Sequence, residues 1–258
     1  MNIIELYYQL ALVATNTPFI ILISIYILFC VDKNVVVNTL ISSMLSIFIN
    51  QYLKSIWQVP MDPSLHKIGW AFPSGHTQLN IVFWGSLLWQ IRSKLLVAWV
   101  ILLLPSSYFA MVDAKYHTWY DIWGGIIAGV CVLLLFVVWH RYFRDYRKSI
   151  SAFVLILCAL IFLLLPEMPH KFFWLWFYLG CLTPILLVIW VRQLDIDFMY
   201  CKLERFGLFI ISSIAVFMIN LYYVVDPILI FMKGFCIAFN VFFLVPFLYN
   251  NIKARWIK

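Results

Sequence analysis

Charge is what this chain has least of: Asp, Glu, Lys and Arg make up 11% of its 258 residues, against 65% hydrophobic residues. A soluble domain carries roughly a quarter charged residues, so this balance excludes one. Cysteine pairing is also missing. Cys30, Cys131, Cys158, Cys181, Cys201 and Cys236 stand singly, mostly inside apolar runs, with no C-x-x-C spacing. They read as small buried hydrophobes, and a disulfide framework is not expected. The opening Met1-Asn2-Ile3-Ile4-Glu5 has neither the basic region nor the cleavage site of a secretory signal, so the first hydrophobic segment is expected to stay as an anchor. No Asp/Glu/His cluster has metal-ligand spacing, and no metal or cofactor is expected. No internal repeat or low-complexity tract stands out.

What is abundant is long apolar sequence. A bilayer crossing takes roughly 20 residues, and the charged or proline-containing breaks divide the chain into about nine such segments. They fall near residues 10–31, 35–53, 76–91, 95–112, 121–140, 149–165, 172–191, 207–224 and 228–248. The expected fold is an all-α, polytopic transmembrane helix bundle. In the first segment, Thr15-Asn16-Thr17 and Pro18 also allow a split into an interfacial helix and a short span. Many of the 12 Trp and 14 Tyr lie near the ends of apolar runs, where amphipathic rings favour the bilayer interface. The net charge of +7 is read as a topology signal, and no nucleic-acid partner is expected. Most Lys and Arg residues fall in one set of alternating loops, with Lys54, Lys67, Lys115 and Lys171 in the other. That bias predicts a cytoplasmic C-terminus and places the loops at 54–75 and 113–120 together on the outer face. Residues 1–148 carry the chemistry-bearing loops, whereas 149–258 read as additional transmembrane helices.

Within the second segment, Asn38, Ser42, Ser46, Asn50 and Lys54 recur every fourth residue and form one polar stripe. Such a stripe faces protein or water, and interhelical hydrogen bonding explains its first four members. Gly125 and Gly129, with Gly124 and Ala128 beside them, allow close helix packing in the fifth segment.

Two stretches carry candidate chemistry. In Ala71-Phe72-Pro73-Ser74-Gly75-His76-Thr77-Gln78 a proline, a hydroxyl and a glycine precede a long apolar helix. A helix start of this kind, with the N–H groups of Ser74, Gly75 and His76 at its positive end, is an anion site. Gly75 would let a ligand approach the backbone, Ser74 would add a hydroxyl donor, and His76 would bring a titratable group. The same residues also make an ordinary turn into a helix. In the second stretch, His117 and Asp121 stand four apart at another helix start. A carboxylate at that spacing can meet one imidazole nitrogen and leave the other as nucleophile or base, or the pair can be structural. The two spans between the stretches form a hairpin that can bring them together.

Pro73-Ser74-Gly75-His76, with His117, Asp121 and the following Gly124-Gly125, resembles the type 2 phosphatidic acid phosphatase superfamily. Its pattern is a basic first motif, P-S-G-H, and S-R-x5-H-x3-D. The resemblance covers about residues 50–130. Tyr116-His117-Thr118-Trp119 and the Gly124–Gly129 run are similar to polyprenyl (dolichyl) diphosphatases. The layout of the spans looks like glucose-6-phosphatase and sphingosine-phosphate phosphatases. The resemblance implies a phosphatase-type helical core that hydrolyses a lipid phosphate or polyprenyl diphosphate of the bilayer without a metal. His117 would attack phosphorus, Asp121 would orient it, and His76 would protonate the leaving oxygen and then activate water. Lys54, Ser74 and Gly75 would hold the phosphate.

The chain departs from the family pattern where arginines are expected. Val59-Pro60-Met61-Asp62-Pro63 follows Lys54, and Ala110 and Met111 occupy the Ser-Arg positions. Methionine cannot bind an oxyanion bidentately, so His66, Lys67 or Lys115 is the candidate replacement cation. The same His/His/Asp set would also serve a head-group phosphotransferase, and a non-catalytic relative could retain the fold.

Overall fold

The computed structural model describes residues 3–63 and 69–142, together with 156–158, 160, 211 and 236. Among these residues the protein is all-helical, with no strand beyond an isolated bridge between Pro60 and Trp70. In chain order the helices are α1 (Ile3–Thr15), α2 (Thr17–Cys30), α3 (Lys33–Trp57), α4 (Gly75–Ile91), α5 (Lys94–Asp113) and α6 (Trp119–Tyr142). Helices α3 (over Asn34–Trp57), α5 and α6 are long and apolar enough to cross a membrane. A fourth crossing is added if α1 and α2 count as one bent span. This is the composition of an integral membrane protein.

The described residues fall into two compact units, one holding 3–21, 37–63, 69–142 and 160, the other holding 22–36, 156–158, 211 and 236. In the second unit the turn after α2 leads into α3, where the Asp32 carboxylate accepts the Asn34 N–H at 2.6 Å. An acidic residue there both satisfies an orphan donor and complements the helix dipole.

The first unit holds α1, most of α3, and α4, α5 and α6. Its α1 packs on α5, and α4 packs on both α5 and α6. Helix α4 is interior: Thr77, Gln78, Asn80, Val82, Phe83, Trp84, Ser86 and Leu87 are all buried. These positions run round the whole helix, the mark of an element surrounded by protein. At 17 residues α4 is about 25 Å long, at the short end of the range that crosses a bilayer. The segment expected at 76–91 corresponds to α4. The expected segments at 35–53, 95–112 and 121–140 correspond to α3, α5 and α6.

The segment expected at 10–31 is broken. Helices α1 and α2 meet at 60° across Asn16, which corrects a single straight span. Pro18 has no N–H to donate to the Ala14 carbonyl, and the Thr15 hydroxyl bonds back to the carbonyls of Ala11 (2.9 Å) and Leu12 (3.2 Å). The segments expected at 149–165, 172–191, 207–224 and 228–248 lie outside the described residues, apart from isolated positions.

Candidate functional site

The polar stripe of α3 faces α4. Asn38 donates to Gln90 Oε1 at 3.1 Å, and Gln90 donates to Thr39 Oγ1 at 3.1 Å. One helical turn below the site, Gln78 donates to the Ser46 carbonyl at 3.0 Å. Asn50 donates to both Gln78 Oε1 (3.0 Å) and the Pro73 carbonyl (3.2 Å). Ser42 turns back on its own helix, bonding the Thr39 carbonyl at 2.9 Å. Buried amides bonded across helices satisfy groups that lipid could not. The Gly-x-x-x-Gly face packs as its spacing predicts. A Cβ on Gly125 would sit 2.7 Å from the Ser74 carbonyl, and one on Gly129 would sit 3.0 Å from Ile81 Cβ. Glycine at these positions lets α6 lie against α4.

That packing brings the two chemistry-bearing stretches together. The Ser74 N–H donates to the Asp121 carbonyl at 3.0 Å, a backbone bond between the start of α4 and the start of α6. The expectation that the Ser74 N–H faces a ligand is thereby corrected. Its hydroxyl is engaged as well. Ser74 is fully buried, and its Oγ caps α4 by accepting from the Thr77 N–H (3.4 Å) and the Thr77 hydroxyl (3.1 Å). Gly75 and His76 carry the first helical N–H groups, at the positive end of α4. At Gly75 a Cβ would meet Asn50 Oδ1 at 2.8 Å, so the carboxamide of α3 is its close neighbour on that side. His76 is exposed, and its carbonyl accepts from Asn80 Nδ2 at 2.8 Å.

After α5 the chain reverses over a short loop in which the Met111 carbonyl accepts the N–H groups of Tyr116 (2.9 Å) and His117 (3.4 Å). Thr118 and Asp121 then form a reciprocal cap. The Asp121 carboxylate accepts the Thr118 N–H (2.8 Å) and hydroxyl (2.9 Å), while Thr118 Oγ1 accepts the Asp121 N–H at 3.3 Å. His117 Nδ1 lies 3.7 Å from the same carboxylate oxygen, and both side chains are nearly fully buried. At that distance the two are in contact without a direct hydrogen bond.

Lys54 closes the third side. Its ammonium donates to the Trp70 carbonyl at 2.6 Å and feels the charge of Asp121. Two further donors remain on it. Met111 is buried in an apolar cluster with Tyr108 and Ile122, and Ala110 beside it is also buried. An arginine at 111 would bury a guanidinium among aliphatic groups, which explains the methionine. Met61 bonds Gly69 through its N–H (3.2 Å), and its sulfur lies 3.5 Å from where a Gly69 Cβ would be. Lys115 is exposed, with a left-handed φ of 58°. His66 and Lys67 lie outside the described residues. Aromatic rings flank the α4 start: Phe72 stacks on Tyr120 at 4.5 Å, meets Trp57 edge-on at 4.8 Å and lies over Gly124.

Comparison of the chain with family models, with curated proteins and with solved structures gives no match. The site is therefore read from its own geometry. It combines a buried imidazole beside a carboxylate, a helix start with its positive end, and an ammonium that shares the carboxylate's field. Together these can hold an oxyanion and present a nitrogen nucleophile to it. Thr118 and Gln78 were not among the site residues expected from sequence. Thr118 was signalled by its T-x-x-D spacing to Asp121, a helix-start pattern that overlaps His117-x-x-x-Asp121. The Asn50–Gln78 pair had only half a signal, because the stripe shows α3 but not its partner.

Proposed function

We propose that the protein is an integral-membrane phosphatase that hydrolyses a lipid phosphate or a polyprenyl diphosphate at the outer membrane face, through a phosphohistidine at His117. The observation that carries this reading is the bond from the Ser74 N–H to the Asp121 carbonyl, which ties the Pro73–His76 stretch to the His117–Asp121 stretch. In the proposed reaction the unprotonated nitrogen of His117 attacks phosphorus, forming a P–N bond as the bond to the leaving oxygen breaks. His76 gives that oxygen its proton. It then takes a proton from water, which displaces His117 and releases phosphate. Asp121 stabilises the imidazolium. Lys54 and the N–H groups of Gly75 and His76 hold the equatorial oxygens as charge develops.

The arrangement in the bilayer belongs to the same proposal. It has about nine spans, the loops at 54–75 and 113–120 on the non-cytoplasmic side and the C-terminus in the cytoplasm, following the distribution of Lys and Arg. Buried Ala110 and Met111 leave the cation role to Lys54, with His66, Lys67 and Lys115 as further candidates. The test is a phosphate-release screen of purified protein in detergent over polyprenyl diphosphates, phosphatidic acid, phosphatidylglycerol phosphate and sphingoid phosphates. His117→Ala and His76→Ala should each abolish release of whichever substrate is turned over. Wild-type rates in both variants would sink the mechanism.

A further inference from the structure

The chemistry proposed above needs His117 in one tautomer and one orientation, and the inference that follows rests on that reading. Nδ1 of His117 is buried and has no hydrogen-bond partner among the described residues. The acid beside it is Asp121, through Oδ2 at 3.7 Å. That oxygen is not free to swing. It already accepts the N–H and the hydroxyl of Thr118, at 2.8 and 2.9 Å. Asp121 is held on its backbone as well, its N–H by Thr118 Oγ1 (3.3 Å) and its carbonyl by the Ser74 N–H (3.0 Å).

A helix cap by itself needs only a hydroxyl that accepts one N–H. Here the hydroxyl accepts and donates at once, and the atom it donates to is the one that faces the imidazole. We propose that Thr118 is a positioning residue for the chemistry at His117: its reciprocal cap fixes the Asp121 carboxylate where it selects the Nδ1–H tautomer and leaves Nε2 to attack. The contact at 3.7 Å needs only a few tenths of an ångström to become a hydrogen bond, the kind of tightening that accompanies substrate binding.

Thr118→Val keeps the branched shape and removes both hydroxyl bonds, whereas Thr118→Ser keeps both. Ser93→Ala is the control. It deletes another hydroxyl cap, the one on α5 that accepts from the Leu96 N–H, at the end of that helix about 30 Å of helix rise away from Asp113. Phosphate release, melting temperature and the nitrogen chemical shifts of isotope-labelled histidine would be measured on full-length protein in detergent. Thr118→Val should lower kcat about tenfold with KM unchanged, as loss of an orienting partner does. Thr118→Ser should recover most of that loss. Ser93→Ala should lower the melting temperature without lowering kcat. The His117 resonances, assigned by their absence in His117→Ala, should change from the Nδ1–H tautomer to a mixture in Thr118→Val. A Thr118→Val protein with the wild-type tautomer, or with a kcat loss no greater than that of Ser93→Ala, overturns the proposal. Equal phosphate release from wild type and His117→Ala would overturn the phosphatase reading instead, and the tautomer measurement would still judge Thr118.

Discussion

At α4 the cap is Ser74 and the third helical residue is Thr77; at α6 the cap is Thr118 and the third helical residue is Asp121. Both starts use a hydroxyl to accept the N–H three residues on. They differ in what answers the hydroxyl. At α6 a carboxylate folds back over the cap, so the positive end of that helix is neutralised from within. At α4 the answering group is the neutral Thr77 hydroxyl, which donates to Ser74 at 3.1 Å. The positive end of α4 keeps its field for something else. One acidic residue thus separates a helix start that can attract an anion from one that holds a side chain in place.

The largest expected effect comes from erasing the acid. Asp121→Asn keeps the shape of the cap but removes the charge felt by Lys54 and His117, and phosphate release should fall about a hundredfold or more. Steady-state rates at fixed lipid would show it; a loss below tenfold would mean the charge is not what distinguishes α6. Separating the two starts comes next. In Gly125→Ala the new Cβ would lie 2.7 Å from the Ser74 carbonyl, pushing α6 off α4 at a cost of about 2 kcal/mol. A detergent melting curve that matches wild type would refute the close approach. Making the starts alike is the third intervention. Thr77→Asp gives α4 the carboxylate that α6 has, and vanadate affinity by calorimetry should drop about tenfold because the field is then neutralised locally. Ser74→Ala is the smallest. As a cap it should cost about 1 kcal/mol of stability while KM shifts less than about threefold. A KM change far above that would return the Ser74 hydroxyl to the role of ligand.

Side-chain patterns made much of this site legible. The stripe Asn38–Lys54 marked the polar face of α3, Gly125 and Gly129 marked the close contact, and Pro73-Ser74 marked the start of α4. Each signal resides in residue type and spacing, which sequence displays. The bond from Ser74 N–H to the Asp121 carbonyl resides in backbone atoms that every residue other than proline carries, so no pattern could announce it. Gly75 is a related case: a missing side chain shows that something comes close, but not that the neighbour is Asn50. Met111 looked like a lost arginine until the cluster with Tyr108 and Ile122 put it in the core. The break between α1 and α2 was visible at Pro18, although the angle was not.

That break has a consequence for how the protein is made. At the bend the Thr15 carbonyl loses its helical partner and is taken up by Asn80 Nδ2 at 2.9 Å, 65 residues further along the chain. During synthesis from the N-terminus, α1 and α2 are complete long before Asn80 leaves the ribosome. Until α4 arrives, the bent pair must keep that carbonyl in contact with water or headgroups, because hydrocarbon offers it no donor. The carbonyl at the bend thus gains its donor only when the helix that carries His76 packs against it, so one contact serves both the fold and the helix that begins the site.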